Sequence, residues 1–393
     1  MNPRPRAGLS FPDRRSLIAC VLLGLLPIGS VQAGNVSNLI YVDTDSGAAE
    51  LPGQCTLKSA LRAALHGRPS GSCTVPSPGM TPEIHLPANA EIVIDDSIGI
   101  GLNGEFAANS PFVAAEAEGR GLVIHGHGAT IRRAGAACDP TTPDPQVDVG
   151  FLLLFAQSGP VSMESVRLQN FCNTLSAFGG GALYAEASQI SLDRVQLIGN
   201  RALNAGGGAD LIAPLIRLVD TQVQGNRVFT GGRDREGSGL RLIQSTAEAG
   251  QAVGVQIERS SFIDNAVVGA ASLGMGAALH VAVRSGLELD NGTFLDNVGY
   301  TVGALSLVRL SNDASIEAVL RHNTFLRNSS ISFSTLRIQA PVRLSNNLLL
   351  AGPGTACGFE NGFTLSSTNM SNSTSCSGWQ QVPSEGVLAP PFT

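Results

Sequence analysis

Glu258 and Asp290 each stand fourth in a segment of one shared pattern, VQIERSSFIDN from 255 and LELDNGTFLDN from 287. Arg259 follows the first. Arg321 and His322 hold the fourth and fifth places of the next such segment, AVLRHNTFLRN from 318. If these segments stack as neighbouring strands, their fourth side chains lie ~4.8 Å apart. Two carboxylates at that distance repel, which raises the pKa of one, and such a pair can divide the roles of acid and nucleophile at a glycosidic bond. Glu258 and Asp290 are therefore the candidate catalytic pair, with Arg321 and His322 beside them. Tenth place gives a second pair, Asp264 and Asp296, next to Arg327. These offer carboxylate oxygens of the kind Ca²⁺ takes, a cofactor expected only if the chain is a lyase; no other cofactor is expected. The competing reading is a solvated outer face whose acids and bases offset one another. The mixed signs within each column favour it.

What must position these residues is an internal repeat. ISLDRVQLIGN from 190 and IRLVDTQVQGN from 216 align without gaps with the three segments above, the starts lying 26, 39, 32 and 31 residues apart. VSMESVRLQN from 161 fits with one residue fewer, and VRLSNNLLLAG from 342 fits with Gly352 in place of the closing Asn. First and third places are apolar, as in Ile190 and Leu192 or Leu287 and Leu289. A period of two marks a strand with one buried face. Eighth place is apolar too, and the last is Asn200, Asn226, Asn265, Asn297 and Asn328. A glycine turn and another strand follow most of them, as in GGGALYAE and GMGAALHV.

One repeat is too short to bury its own face, so neighbours must stack. Three strands per coil around an apolar interior describe an all-β parallel β-helix, a solenoid whose crossovers favour the right hand. The Asn column reads as structural, because Asn tolerates the left-handed conformation and stacked Asn side chains can bond along the axis. The column Phe262, Phe294, Phe325 reads as core stacking rather than a sugar platform.

The bulk composition agrees. Charged residues make up only 14% of the chain, glycines number 46, and Lys58 is the sole lysine. A net charge of −6 leaves no basic stripe to neutralise phosphates, so no nucleic-acid partner is expected. Arg4, Arg6, Arg14 and Arg15 precede the apolar run LIACVLLGLLPIG, and VQA at 31–33 fits a small-x-small cleavage site. Cleavage is expected after Ala33. The run falls short of the ~20 apolar residues that span a bilayer, and no later segment could span one. DRRSLI leaves general secretion and the twin-arginine route both open.

With Cys20 removed, six cysteines remain: Cys55, Cys73, Cys138, Cys172, Cys357 and Cys376. An even number in an exported chain suggests disulfides, and proximity favours Cys55–Cys73, Cys138–Cys172 and Cys357–Cys376. No cysteine or histidine spacing points to a metal site.

One stretch breaks the β pattern. In QCTLKSALRAALHG at 54–67, Leu57, Ala60, Leu61, Ala64 and Leu65 share one face of a helix. With IYVDTDSG before it and PEIHLP after it, CTLKSALRAA resembles the N-terminal signature of CSLREA-type exported bacterial proteins, departing from it at Thr56, Lys58 and Ser59. The resemblance implies a secreted or cell-surface protein with right-handed β-helix repeats of the pectin-lyase-like kind. It implies no single activity. The helix is expected to cap the open first coil. The expected organisation is a signal peptide over 1–33, a cap over 34–90, the β-helix over 91–352 and a tail over 353–393.

Pectin lyases and polygalacturonases share such a fold, and IHGHGATI at 124–131 holds Gly126-His127-Gly128, the tripeptide of the polygalacturonase histidine motif. The NTD and RxK motifs that accompany it there are missing, so His127 reads as a turn residue of an early coil. Exposed aromatics are few, and Trp379, the only tryptophan, lies in the tail. The expectation is a monomeric, non-enzymatic surface or adhesion-type protein, secreted, periplasmic or on the cell surface, whose long face binds polysaccharide, surface glycans or other partners. The alternative is a polysaccharide-active enzyme, pectate-lyase-like or a glycoside hydrolase, with its acidic site on the outer face.

Overall fold

The computed structural model describes residues 37–47, 51–94, 112–115, 120–135, 150–157, 159–174, 179–229, 236–246, 253–269, 276–310, 316–330, 334–351, 355–360, 363–365 and 367–382. Ala33, Cys138, Gly352 and the stretch proposed as a signal peptide lie outside them. The chain winds as an all-β parallel β-helix. In the coil that begins at Ile190, Ile190–Asp193 belongs to a first sheet and Gln196–Ile198 to a second. Arg201–Ala202 belongs to a third and Ala209–Ala213 to a fourth, after which Ile216–Val219 returns to the first. Among the described residues the four sheets hold 11, 11, 6 and 9 strands.

The expectation of three strands per coil is thus corrected to four. The extra strand is two or three residues long, as where Arg201 and Ala202 pair with Arg227 and Val228, too short to leave a period-two signature. The parallel ladders also reach past 91–352. Leu39–Tyr41 pairs with Glu83–His85 inside the expected cap. Thr355–Phe359, Phe363–Leu365, Met370–Ser371 and Gln380–Gln381 extend the sheets inside the expected tail.

The repeat columns face inward as their periodicity requires. Ile190, Leu192, Ile216, Leu218, Leu287 and Leu289 are fully buried in one continuous core. Phe262, Phe294 and Phe325 stack within it, with centroids 4.7 and 4.8 Å apart. Those distances are the strand spacing itself.

The asparagine column is a buried ladder. Asn200, Asn226, Asn265 and Asn297 each pass a hydrogen bond from Nδ2 to Oδ1 of the next, ending at Asn328, at 2.7 to 3.2 Å. The left-handed conformation, however, falls one residue earlier, at Gly199, Gly225, Asp264, Asp296 and Arg327, with φ between 50° and 65°. The corner is turned there, which leaves Asn free to aim inward. For the same reason the segment from 161 is not one residue shorter. Asn170, at φ 61°, holds the corner and Phe171 holds the ladder place, its N–H donating to Asn200 Oδ1 at 2.9 Å. A second ladder, unforeseen, joins Asn323, Asn347 and Asn369 at the other corner, at 2.9 Å for each side-chain pair.

The single described helix is Leu57–His66. Thr56 caps it by accepting from Ser59 N, and Gly67 ends it at φ 59°. It packs against Leu39–Tyr41 and Glu83–His85, and Leu57, Ala60, Leu61, Ala64 and Leu65 join the core. Disulfides link Cys55 to Cys73 at its start and Cys357 to Cys376 near the other end. Cys172 is also disulfide-bonded; Cys138, its expected partner, is outside the described residues. No helix among those residues is long and apolar enough to cross a membrane.

Candidate functional site

The outward fourth place of the first sheet forms one column down the solenoid. In register it holds Tyr41, His85, His125, Glu164, Asp193, Val219, Glu258, Asp290, Arg321 and Ser345. Glu258 and Asp290 are therefore adjacent, but each carboxylate faces a base. Arg259, on the corner after Glu258, donates to Asp220 at 2.8 and 3.0 Å and to Glu258 at 3.3 Å. Its hydrogen bond holds the Asp220 carboxyl below the usual range.

Asp290 pairs with His322 Nδ1 at 3.0 Å and lies 3.8 Å from Arg321. His322 Nε2 lies 3.2 Å from Asn346 Nδ2. Further along, Arg194 bridges Glu164 and Asp193. These are partly exposed polar pairs of the kind that contribute little to stability. The corner pair behaves alike: Asp264 takes Arg227 at 2.9 Å, and Asp296 takes both arms of Arg327 at 2.6 and 2.7 Å. Four of the expected site acids are thus brought into register, and each is occupied by a cation rather than by its neighbouring acid.

At the N-terminal end the same column changes character. His85 and His125 stack with centroids 4.5 Å apart and planes 18° from parallel, and Tyr41 covers His85 at 5.0 Å. His85 Nδ1 lies 3.2 Å from His127 Nε2. His125 Nδ1 lies 3.1 Å from Glu164 Oε2, and its Nε2 lies 3.6 Å from Glu83 Oε2. Asn38 donates to the other Glu83 oxygen at 2.7 Å. His85 Nε2 is shielded from solvent and has no hydrogen-bond partner. Burial, then the neighbouring His125 and His127, pull the His85 pKa down despite Glu83, so the neutral ring is favoured.

Among the described residues, Glu83, His85 and His125 are the one group of three whose donor atoms fall within 4.8 Å of one another. The GHG tripeptide has a steric reason as well. A Cβ on Gly126 would meet Ser165 O at 2.4 Å, and one on Gly128 would meet Asn89 Oδ1 at 2.6 Å. His127 turns between them at φ 49°.

A second polar column lies under cover on the outward side of the fourth sheet, where Tyr184, Asp210, Arg241, His280 and Ser306 are in register. Arg241 grips both oxygens of the fully buried Asp210 at 2.8 and 2.7 Å. Burial pushes the Asp210 carboxyl up, against the pull of that fork. Burial and then the bond to Glu186 push the Tyr184 phenol up. Glu236 lies 3.6 Å from Arg241 and 3.5 Å from His280.

Comparison with family models, curated proteins and solved structures returns no match. The site is therefore judged on its chemistry alone. Sequence reasoning passed over His85 and His125, because metal spacings are sought within short motifs while these two donors come from two coils, 40 residues apart in number. The available signal was His-x-His at 125–127 aligned on the His of EIH at 83–85. Nothing in the strand ALYAEA or its counterparts marks the covered column beyond one polar residue in an apolar run.

Proposed function

We propose that this chain is an exported, non-enzymatic β-helix protein of the surface or adhesion type, which binds glycans along the outward face of its first sheet. One observation carries the non-enzymatic half: Glu258 and Asp290, the pair best placed for acid–nucleophile chemistry, are each engaged by a base, at 3.3 and 3.0 Å. Each carboxylate is thus turned to a basic neighbour instead of facing the other acid across a shared site. The binding half rests on the same column. Apart from the buried Val219 it repeats polar side chains every ~4.8 Å, close to the rise of one pyranose in an extended glycan, and Tyr41 stands 61% exposed at its head.

Export is supported by the arginine-flanked apolar run at the N-terminus and by the disulfides, which persist in oxidising compartments. The CSLREA-like stretch Cys55–Ala64 supports placing the chain among cell-surface β-helix proteins of that kind. The test is to incubate the purified protein with a polysaccharide panel, following retention together with reducing ends and absorbance of unsaturated products. Retention of at least one polysaccharide without cleavage is expected. Cleavage abolished by Glu258→Gln or Asp290→Asn would replace this reading with a hydrolase or lyase.

A further inference from the structure

We propose that Glu83, His85 and His125 form a binding site for a divalent transition-metal ion of the zinc type. Two imidazoles and one carboxylate are a donor set suited to zinc, nickel or copper, whereas calcium and magnesium demand oxygen throughout. The backbone supplies the placement. His85 and His125 are register partners on adjacent parallel strands, and Glu83 stands two residues before His85 on the same outward face. All three are therefore held by hydrogen-bonded sheet rather than by loops, which suits a preformed site.

The orientation of the rings agrees. His125 Nδ1 is engaged by Glu164 at 3.1 Å and His85 Nδ1 by His127 at 3.2 Å. Each ring thus has its Nδ1 fixed by an outer partner and its Nε2 left as the ligand, the arrangement in which metal-binding histidines are usually found. His125 Nε2 and Glu83 Oε2 stand 3.6 Å apart; ligands at ~2.0–2.1 Å from a tetrahedral zinc lie ~3.3 Å from each other. His85 Nε2, the remaining ligand atom, is the shielded nitrogen without a partner. Three protein ligands leave a fourth position for water or a solute donor. The side chains of His125 and Glu83 are 26% and 33% exposed, so that position opens to solvent.

The site lies in the column proposed to bind glycans, but it is tested without any glycan. Untagged protein, stripped with a chelator and dialysed, is titrated with zinc by calorimetry and with cobalt by visible absorption. One equivalent of zinc and the ligand-field bands of a low-symmetry cobalt centre are expected. His85→Ala and His125→Ala should each abolish stoichiometric binding. Glu83→Gln, which keeps the shape of the side chain, should weaken it strongly. Glu164→Gln should weaken it by ~10–100-fold through the orientation of His125. His322→Ala, distant on the same face, should leave both stoichiometry and affinity unchanged, and calcium should give no binding heat. Absence of stoichiometric zinc binding to the unsubstituted protein, or binding that survives both histidine substitutions, overturns the proposal.

Discussion

Asn265 donates through Nδ2 to Asn297 Oδ1 at 2.9 Å, and its backbone N–H reaches the same oxygen at 2.9 Å. It also donates to Val223 O at 2.9 Å and accepts at Oδ1 from the backbone and side chain of Asn226, at 3.1 and 3.0 Å. One side chain thus satisfies buried polar groups on two coils. Asn265→Ala should orphan several of them, at ~1–3 kcal/mol each, and lower stability by ~3 kcal/mol or more. Urea denaturation of the two proteins measures this; a loss below ~1 kcal/mol would mean that the ladder is dispensable.

Phe294 lies between Phe262 and Phe325, in ring contact with both. Phe294→Ala should cost ~3–5 kcal/mol by opening a cavity in a packed column. Phe294→Leu should cost clearly less, since Leu197 and Leu349 hold the same place on other coils. Equal losses for the two substitutions would count against a packing role.

The bidentate Asp210–Arg241 pair is buried on the outward side of the fourth sheet. Arg241→Met removes the fork and leaves a carboxyl without its cation, for an expected loss of ~3–5 kcal/mol. Adding Asp210→Leu to it should restore most of that stability, because the penalty lies in the orphaned charge. A double variant no more stable than the single one would refute this account.

His280 is fully enclosed, and burial lowers its pKa from 6.5, with Arg241 adding to the effect and Glu236 opposing it. The unfolded chain therefore takes up the proton first as pH falls. By linkage the contribution of His280 to stability is unchanged above its unfolded value, ~6.5, and declines as pH drops below it toward the folded value. His280→Gln should flatten the loss of stability between pH 6.5 and the acid side, as read from Tm against pH. An unchanged profile would place the acid sensitivity elsewhere.

Leu57 and Leu61 bury the helix against the first strands. The paired substitution Leu57→Asp and Leu61→Asp should lift it and expose the edge of Leu39–Tyr41, giving oligomers or aggregates in size exclusion. A monodisperse monomer would show that the helix is not a cap.

The sequence by itself determined the solenoid. Period-two columns that recur from coil to coil can bury their faces only by stacking, so the places of Leu192, Phe262 and Asn265 in the repeat mark core, stack and ladder. It also placed Glu258 beside Asp290, because register follows from aligned repeats. It marked the helix through its spacing and the Cys55–Cys73 pair through proximity.

Only the tertiary structure decided what the outward side chains do. The extra strand, two or three residues long where it is described, is too short to carry a pattern. The corner conformation sits one residue before each ladder asparagine, a distinction that composition cannot make. Whether Glu258 and Asp290 face each other or their bases depends on how Arg259 and His322 leave left-handed corners. The meeting of His85, His125 and Glu83 depends on the chain between them bringing EIH onto VIH in register. Repetition fixes the inside of a solenoid, because every coil meets the same neighbours there. Its outside is set by side chains that differ from coil to coil, and those become legible only when the coils are assembled.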